Sequence, residues 1–172
     1  MKALITGGAG FIGSHVVDAY LGAGLEVVVV DDLSRGSRAN LPPEVPFYQL
    51  DIRDRSALEE VCHREKPDLM NHHAAQIDVR HSVREPIFDA ECNILGSINL
   101  LELAVKYKVR RFVYASTGGA IYGEPKHLPA DEATPVEPLA PYGISKHSFE
   151  HYLANARMLY GLPFVVLRYG NV

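Results

Sequence analysis

Two kinds of apolar pattern alternate along the chain. One is a short continuous apolar run, typical of a strand buried on both faces of a parallel sheet. The other is a longer stretch with apolar residues at helical spacing. The predicted strands are 2–6, 25–30, 45–50, 69–73, 111–115 and 163–168, and the main predicted helices are 11–21, 57–64, 86–108 and 141–160. Such alternation predicts an α/β fold, a doubly wound parallel sheet in three α/β/α layers.

The composition bounds the organisation and the partners. A length of 172 residues fits one domain with a real core. The last apolar run is followed almost at once by the last residue, so we expect residues 1–172 to be the front part of a longer chain. The net charge of −4 argues against a nucleic-acid-binding surface, and no apolar run is long enough for a membrane span. Cys62 and Cys92 fit no metal spacing, and we expect free thiols in a reducing cytoplasm.

A glycine-rich segment, Thr6 to Gly13, joins the first predicted strand to the first predicted helix. Gly7 permits a tight turn, Gly10 lets backbone approach a pyrophosphate, and Gly13 lets the helix pack on the strand. The helix N-terminus, which starts at Phe11 and Ile12, offers free N–H groups to phosphate. A purely structural turn is the alternative, but the strand before and the helix after favour a dinucleotide-binding Rossmann fold.

Acidic residues follow the second and third predicted strands. Asp31 can accept hydrogen bonds from both ribose hydroxyls of an adenosine, and Asp32 adds to the repulsion of the extra phosphate of NADP. This favours NAD, with a plain loop acid as the alternative. Asp51 could receive an adenine amino group while Ile52 packs on the ring, although Asp51 could equally be a helix cap. Ser56 is predicted to cap the helix over 57–64.

The predicted catalytic residues are Tyr142 and Lys146, which lie four residues apart on one helical face. A nearby ammonium and a positively charged nicotinamide would both lower the phenol's pKa, so that Tyr142 could take a proton from a sugar hydroxyl. The alternative is a surface helix pair. Ser116 and Thr117 follow the fifth strand, where a hydroxyl can hydrogen-bond the substrate; Thr117 is favoured, unless it only caps the strand end. Asn93 could hold backbone or water near the lysine, or be a satisfied core residue.

The pair His72-His73 invites a metal interpretation. Adjacent strand residues point to opposite faces of a sheet, so both side chains cannot readily bind one ion. We therefore expect no metal and treat the pair as strand-end residues near the cofactor.

The motifs together resemble the extended short-chain dehydrogenase/reductase family. The resemblance runs in order from residue 1 to 172 and is carried by TGGAGFIGSH at 6–15, DDLSRG at 31–36, DIRD at 51–54, AA at 74–75, NILG at 93–96, YASTGGAIYG at 114–123, PYGISK at 141–146 and LRYGN at 167–171. It is closest to the NAD-dependent epimerase/dehydratase branch, and within it to the UDP-glucose 4-epimerases.

The resemblance implies site residues and partners. It implies a Rossmann domain with tightly held NAD, a UDP-hexose substrate, and catalysis by Tyr142, Lys146 and Thr117. Residues of the glycine loop, Asp31, Asp51 and Ile52 would contact the adenosine half, whereas Ala74, Ala75, Asn93, Lys146 and Tyr169 complete the cofactor site. Asn171 would begin the nucleotide-sugar site. Two long helices, 86–108 and 141–160, would pair across a homodimer, as they do in relatives.

The resemblance also separates reaction types. Sugar-nucleotide 4,6-dehydratases carry an acidic pair directly after the hydroxyl residue, whereas here Thr117 precedes Gly118, Gly119 and Ala120. Glu124 comes too late, which leaves 4-epimerisation as the expected chemistry. Other enzymes of the branch (4,6-dehydratase, decarboxylase or 4-ketoreductase) and a non-enzymatic NAD-binding regulator remain the alternatives.

Overall fold

The computed structural model describes residues 1–170, so Asn171 lies outside the described residues. It contains a six-stranded, entirely parallel sheet in the order β3-β2-β1-β4-β5-β6. The strands are β1 Lys2–Thr6, β2 Glu26–Asp31, β3 Phe47–Gln49, β4 Leu69–His72, β5 Arg111–Thr117 and β6 Phe164–Tyr169. The order reverses between β1 and β4, and this switch point opens a crevice at the carboxyl ends of those strands. The predicted doubly wound Rossmann fold is confirmed.

The helices connect the strands over both faces of the sheet. They are α1 Phe11–Gly22, α2 Arg55–Glu65, α3 Val79–Arg84, α4 Pro86–Ala90, α5 Ser97–Lys106, α6 Gly118–Ile121 and α7 Pro141–Tyr160. A short 3₁₀ turn covers Arg38–Asn40. Within the described residues, no helix combines the length and the apolar character that a bilayer crossing requires.

The sheet divides the apolar core into two clusters. Alternate residues of each inner strand point to opposite faces, as in Leu4 and Ile5 of β1. Leu4 packs with residues of α2, α5 and α7, while Ile5 packs with residues of α1 and of the segment before β3. Burial on both faces is why the inner strands are continuously apolar in the sequence.

The helix predicted over 86–108 is not α-helical throughout. The chain is α-helical in α4, π-helical over Glu91–Gly96 and α-helical again in α5. The π-helical turn carries Asn93, and the Ser97 hydroxyl donates to the Asn93 carbonyl at 2.8 Å. A π-helical turn alters side-chain direction without ending the helix, so apolar spacing alone cannot reveal it.

Two local predictions are wrong at element ends. Ser56 does not cap α2; Asp54 does, since its carboxylate accepts from the Ala57 amide at 3.0 Å. The fifth strand extends to Thr117, beyond its predicted end at residue 115. The extension follows from pairing with β6, which continues to the pair Thr117 and Tyr169.

Candidate active site

The glycine-rich loop is shaped by close backbone contacts. Gly7 has a φ of +69°, and a Cβ there would lie 2.5 Å from the Ala74 amide nitrogen. A Cβ on Gly13 would lie 2.1 Å from the Gly7 carbonyl oxygen. Both positions therefore need glycine for the fold itself.

Gly10 differs from those two glycines. A Cβ there would meet one atom of the described residues within 4 Å, the Gly7 oxygen at 3.3 Å. Gly10 is the N-cap residue of α1, and it provides no side-chain cap for the first-turn amides, which begin at Phe11 and Ile12. Open space beside uncapped amides fits a pyrophosphate, whose charge the helix N-terminus would stabilise.

Asp31 links β2 to the glycine loop. Its carboxylate is buried, and it accepts from the Ala9 amide at 2.9 Å and from the Leu33 amide at 2.8 Å. Each oxygen has a second lone pair, so the residue can still accept a ribose hydroxyl. Asp32 is exposed and accepts from both the amide and the hydroxyl of Ser34. Two acids at this position fit an adenosine without a 2′-phosphate.

Asp51 and Ile52 lie after β3. The Arg53 guanidinium donates to both Asp51 oxygens, and its two bonds to Oδ2 measure 2.9 and 2.6 Å; this pairing lowers the pKa of the carboxyl group. Ile52 is buried against the π-helical segment, where a Cβ on Gly96 would lie 2.8 Å from the Ile52 side chain. Asp51 is not the cap of α2, since Asp54 fills that role. Its predicted contact with adenine stays a prediction.

Lys146 is fully enclosed one turn after Tyr142 on α7. Its ammonium donates to the Ala115 carbonyl at 3.0 Å and lies 4.9 Å from the Tyr114 ring centroid and 6.0 Å from the Tyr142 ring centroid. Burial lowers the pKa of Lys146 to about 8, and Asp89 opposes this fall. The pair is therefore not the surface pair that spacing alone would allow.

Burial raises the pKa of Tyr142, while the Thr117 hydroxyl partly offsets the rise. The predicted fall in the pKa requires a positively charged nicotinamide beside the phenol, so it stays a prediction, whereas the protein's own groups raise the pKa. The reason is desolvation, because a buried phenolate loses its water contacts. Tyr142 therefore needs stabilisation of its phenolate from neighbouring positive charge before it can act as a base.

Ser116 and Thr117 point to opposite sides of β5. The Ser116 hydroxyl donates to Glu150 at 2.6 Å, and the Arg168 guanidinium also donates to that carboxylate. The Thr117 hydroxyl faces Tyr142 and accepts from the Ala120 amide at 3.2 Å, which caps α6. The geometry favours Thr117 as the hydroxyl of the site, and it also has the capping role that the sequence left open.

Asn93 joins a buried polar network that the sequence only partly indicated. Its side chain accepts from the Gln76 amide at 3.0 Å and donates to the Gln76 carbonyl at 2.9 Å. It also donates to Asp89. Asn93 thus holds the backbone of the loop after β4 and is also a satisfied core residue, so both of its predicted roles stay open. Asp89 and Gln76 were missed; an acid four residues before Asn93 in a largely apolar helix was the available signal.

The cofactor-side residues predicted after β4 and β6 lie close together. Ala74 touches Gly7, and Ala75 follows it in the same loop. The Tyr169 hydroxyl lies 3.2 Å from Nε2 of His73, whose pKa burial and Lys146 lower to about 4. Asn171 lies outside the described residues, so its predicted substrate contact stays a prediction.

His72 and His73 face different surroundings. Nε2 of His72 lies 2.8 Å from the Ser97 hydroxyl, and its Nδ1 lies 2.7 Å from the Thr6 hydroxyl. Ser97 already donates to the Asn93 carbonyl, so it must accept from His72, which leaves Nδ1 to accept from Thr6. His72 is therefore a neutral, fully bonded structural residue. Among residues 1–170, no group of three potential metal ligands comes together.

Comparison with known proteins decides the family. The family described as "NAD dependent epimerase/dehydratase family" matches residues 3–172. The chain belongs to this family. The expected resemblance is thereby confirmed.

Individual members of the epimerase/dehydratase family are similar over the whole chain. The UDP-glucose 4-epimerase of Lacticaseibacillus casei is 44% identical over 172 residues, which are 100% of this chain and 52% of that protein. The crystal structure of the Thermus thermophilus UDP-glucose 4-epimerase in complex with NAD has a TM-score of 0.96 at 49% identity, covering 98% of this chain and 55% of that one.

A second solved structure of the family is of UDP-glucose 4-epimerase from Thermotoga maritima with UDP-glucose. It has a TM-score of 0.96 at 48% identity and covers 98% of this chain and 55% of that chain. The chain thus spans about half the length of the relatives it matches.

Proposed function

We propose that the protein is an NAD-dependent epimerase that interconverts UDP-galactose and UDP-glucose at carbon 4 of the hexose. The observation that carries the proposal is the juxtaposition of Thr117, Tyr142 and buried Lys146 at the carboxyl edge of the sheet, beside the glycine loop. The similarity to UDP-glucose 4-epimerases at 44 to 49% identity supports it.

The chain's own residues fit NAD. The space at Gly10, the first-turn amides of α1 and the Asp31 carboxylate supply a pyrophosphate cradle and a ribose acceptor. When bound, NAD supplies a hydride acceptor that is regenerated within the same turnover. The two acids Asp31 and Asp32 disfavour the extra phosphate of NADP.

Each catalytic residue has a defined task. Thr117 hydrogen-bonds the oxygen on carbon 4 of the sugar, and Tyr142 takes the proton from that hydroxyl and later returns it. Lys146, with a pKa of about 8, is largely an ammonium at neutral pH. Its charge stabilises the buried phenolate and so counters the desolvation that raises the pKa of Tyr142.

The positions of the acidic residues around Thr117 support epimerisation over dehydration. Gly118, Gly119 and Ala120 follow it and carry no titratable group, and Glu124 lies beyond α6. Glu150 is bound by Arg168 and Ser116 on the other side of β5. Elimination of water would need a free acid and base at the site, so the branch alternatives have less support. A non-enzymatic regulator has no need for a partly buried Tyr142 paired with a buried Lys146.

The assembly and location are also proposals. Large apolar side chains are exposed on α4, the π-helical segment and α7, including Ile87 at 76%, Leu95 at 57% and Ile144 at 50%. They support a homodimer through these helices. The unpaired thiols of Cys62 and Cys92 support a reducing cytoplasm.

The test is an NMR assay of the full-length protein with UDP-galactose and no added cofactor. The proposal expects UDP-glucose to form without net NADH. Tyr142→Phe should lower turnover by roughly 10²-fold or more, whereas Tyr160→Phe at the exposed end of α7 should leave it unchanged. If the protein turns over only a different nucleotide sugar, the proposed substrate is wrong. If Tyr142→Phe keeps full activity, the proposed role of Tyr142 as the base is wrong.

A further inference from the structure

Asp89 is a buried carboxylate with no basic side chain bonded to it within residues 1–170. It is 0% exposed. One oxygen accepts from the amide groups of Gln76 at 3.0 Å and Asn93 at 2.9 Å, and the other accepts from the Ser145 hydroxyl at 2.6 Å. Burying a carboxylate costs several kcal/mol unless opposite charge or hydrogen bonds compensate. Here three donated hydrogen bonds compensate, and they leave the carboxylate charge free to act on other groups nearby.

The three donors lie on three different segments around the site: the loop after β4, the π-helical segment and α7. Gln76 belongs to the loop after β4, which also contains Ala74 and Ala75. Asn93 is on the π-helical segment. Ser145 lies on α7 directly before Lys146. Asp89 thus joins the loop expected to face the nicotinamide to the helix that carries the catalytic pair.

The charges around Lys146 single out the same residue. The titratable groups that face Lys146 are Asp89 from α4, Tyr142 from its own helix, His72 and His73 from β4, and Tyr114 from β5. Burial keeps both histidines neutral and both phenols protonated at neutral pH. Glu150 is already bound by Arg168. Asp89 is therefore the carboxylate, among the described residues, whose charge acts on Lys146.

We infer that Asp89 is a positioning residue for the Tyr142 and Lys146 pair. Its hydrogen bonds fix α7 against the loop after β4, and its negative charge keeps the buried Lys146 in the ammonium form. The part of this inference that concerns catalysis rests on the proposed function.

The ionisation of Lys146 can be tested without turnover. The full-length protein is labelled with ¹³C-lysine, and the Lys146 signal is assigned with Lys146→Met. In Asp89→Asn we expect the titration midpoint of Lys146 to fall by about one pH unit. Asp18→Asn on the exposed face of α1 should leave the midpoint in place. An unchanged midpoint in a folded Asp89→Asn variant overturns the inference, whatever the enzyme does.

The kinetic arm separates this inference from the proposed function. If UDP-galactose is turned over, the alkaline limb of the pH–rate profile should move down with the Lys146 midpoint in Asp89→Asn and not in Asp18→Asn. A loss of rate with the limb unmoved means a structural role only and overturns the inference. A shifted Lys146 midpoint in a protein that converts no UDP-hexose supports the charge coupling and refutes the proposed function alone.

A second variant covers a failure to fold. If Asp89→Asn does not fold, the double variant Asp89→Asn with Lys146→Met should fold. It removes both buried charges, so no uncompensated ammonium remains in the core. A double variant that is also unfolded overturns the coupling.

Discussion

The glycine loop allows a prediction that separates fold from ligand binding. Gly13 and Gly10 are three residues apart, yet only Gly13 is crowded by the protein. A Cβ on Gly13 would lie 2.1 Å from the Gly7 oxygen, so the backbone must move by about 1 Å to relieve the clash. Overpacking of this kind costs up to about 3 kcal/mol. At about 2–4 °C per kcal/mol for a chain of this size, Gly13→Ala should lower Tm by up to roughly 12 °C.

Gly10→Ala should behave in the opposite way. The φ of −76° and ψ of 176° at Gly10 suit any residue, and the nearest described atom would be 3.3 Å from the new Cβ. The variant should keep a Tm close to that of the parent protein, since the Gly7 oxygen has to move by only a few tenths of an ångström and the unfolded chain loses conformational freedom. The methyl group would instead occupy the space proposed for the pyrophosphate, so NAD affinity should fall by about tenfold or more, a loss of about 1.4 kcal/mol.

The assay is thermal unfolding of nucleotide-free protein by circular dichroism, followed by calorimetric titration with NAD. Gly22→Ala is the matched control, because a Cβ there meets nothing within 4 Å among the described residues. It should raise Tm slightly, as Gly→Ala does at a compatible helical position, and leave the NAD affinity unchanged. Equal losses of Tm in Gly10→Ala and Gly13→Ala, or an unchanged NAD affinity in Gly10→Ala, would refute the steric reasoning.

Three further predictions concern single side chains. His73 has a pKa of about 4 against 6.5 for a free histidine. The folding stability that depends on its neutral form is therefore complete above pH 6.5 and is lost as the pH falls towards 4, by at most about 3 kcal/mol. The free energy of unfolding in urea should depend less on pH over this range in His73→Asn than in the parent protein. Thr117→Val should lower epimerase turnover by roughly 10²-fold and Ser116→Ala by much less, as measured by NMR, and the reverse order would make Ser116 the hydroxyl of the site. Ser97→Ala leaves Nε2 of the buried His72 without its partner and should cost about 1–3 kcal/mol of unfolding free energy; a loss near zero would contradict the hydrogen bond between His72 and Ser97.

The pattern of apolar residues determined the class of fold because burial on both faces leaves a direct trace in the sequence. Continuous runs such as 25–30 are typical of strands with helices on both sides. The glycine spacing determined where the tight loop between β1 and α1 forms, since Gly7 and Gly13 are required by close backbone contacts at this loop. The pair Tyr142 and Lys146 was predictable because one helical turn brings them to the same face.

Other features depend on contacts between residues distant in the chain, and only the tertiary structure decided them. That the Thr117 hydroxyl faces Tyr142 while the Ser116 hydroxyl binds Glu150 depends on how α7 packs on β5, which no local pattern specifies. The direction of the Tyr142 pKa shift depends on burial by the surrounding elements. The link from Asp89 to Ser145 spans 56 positions. Spacing along the chain sets which residues share an element, whereas packing sets which charges and hydroxyl groups finally meet.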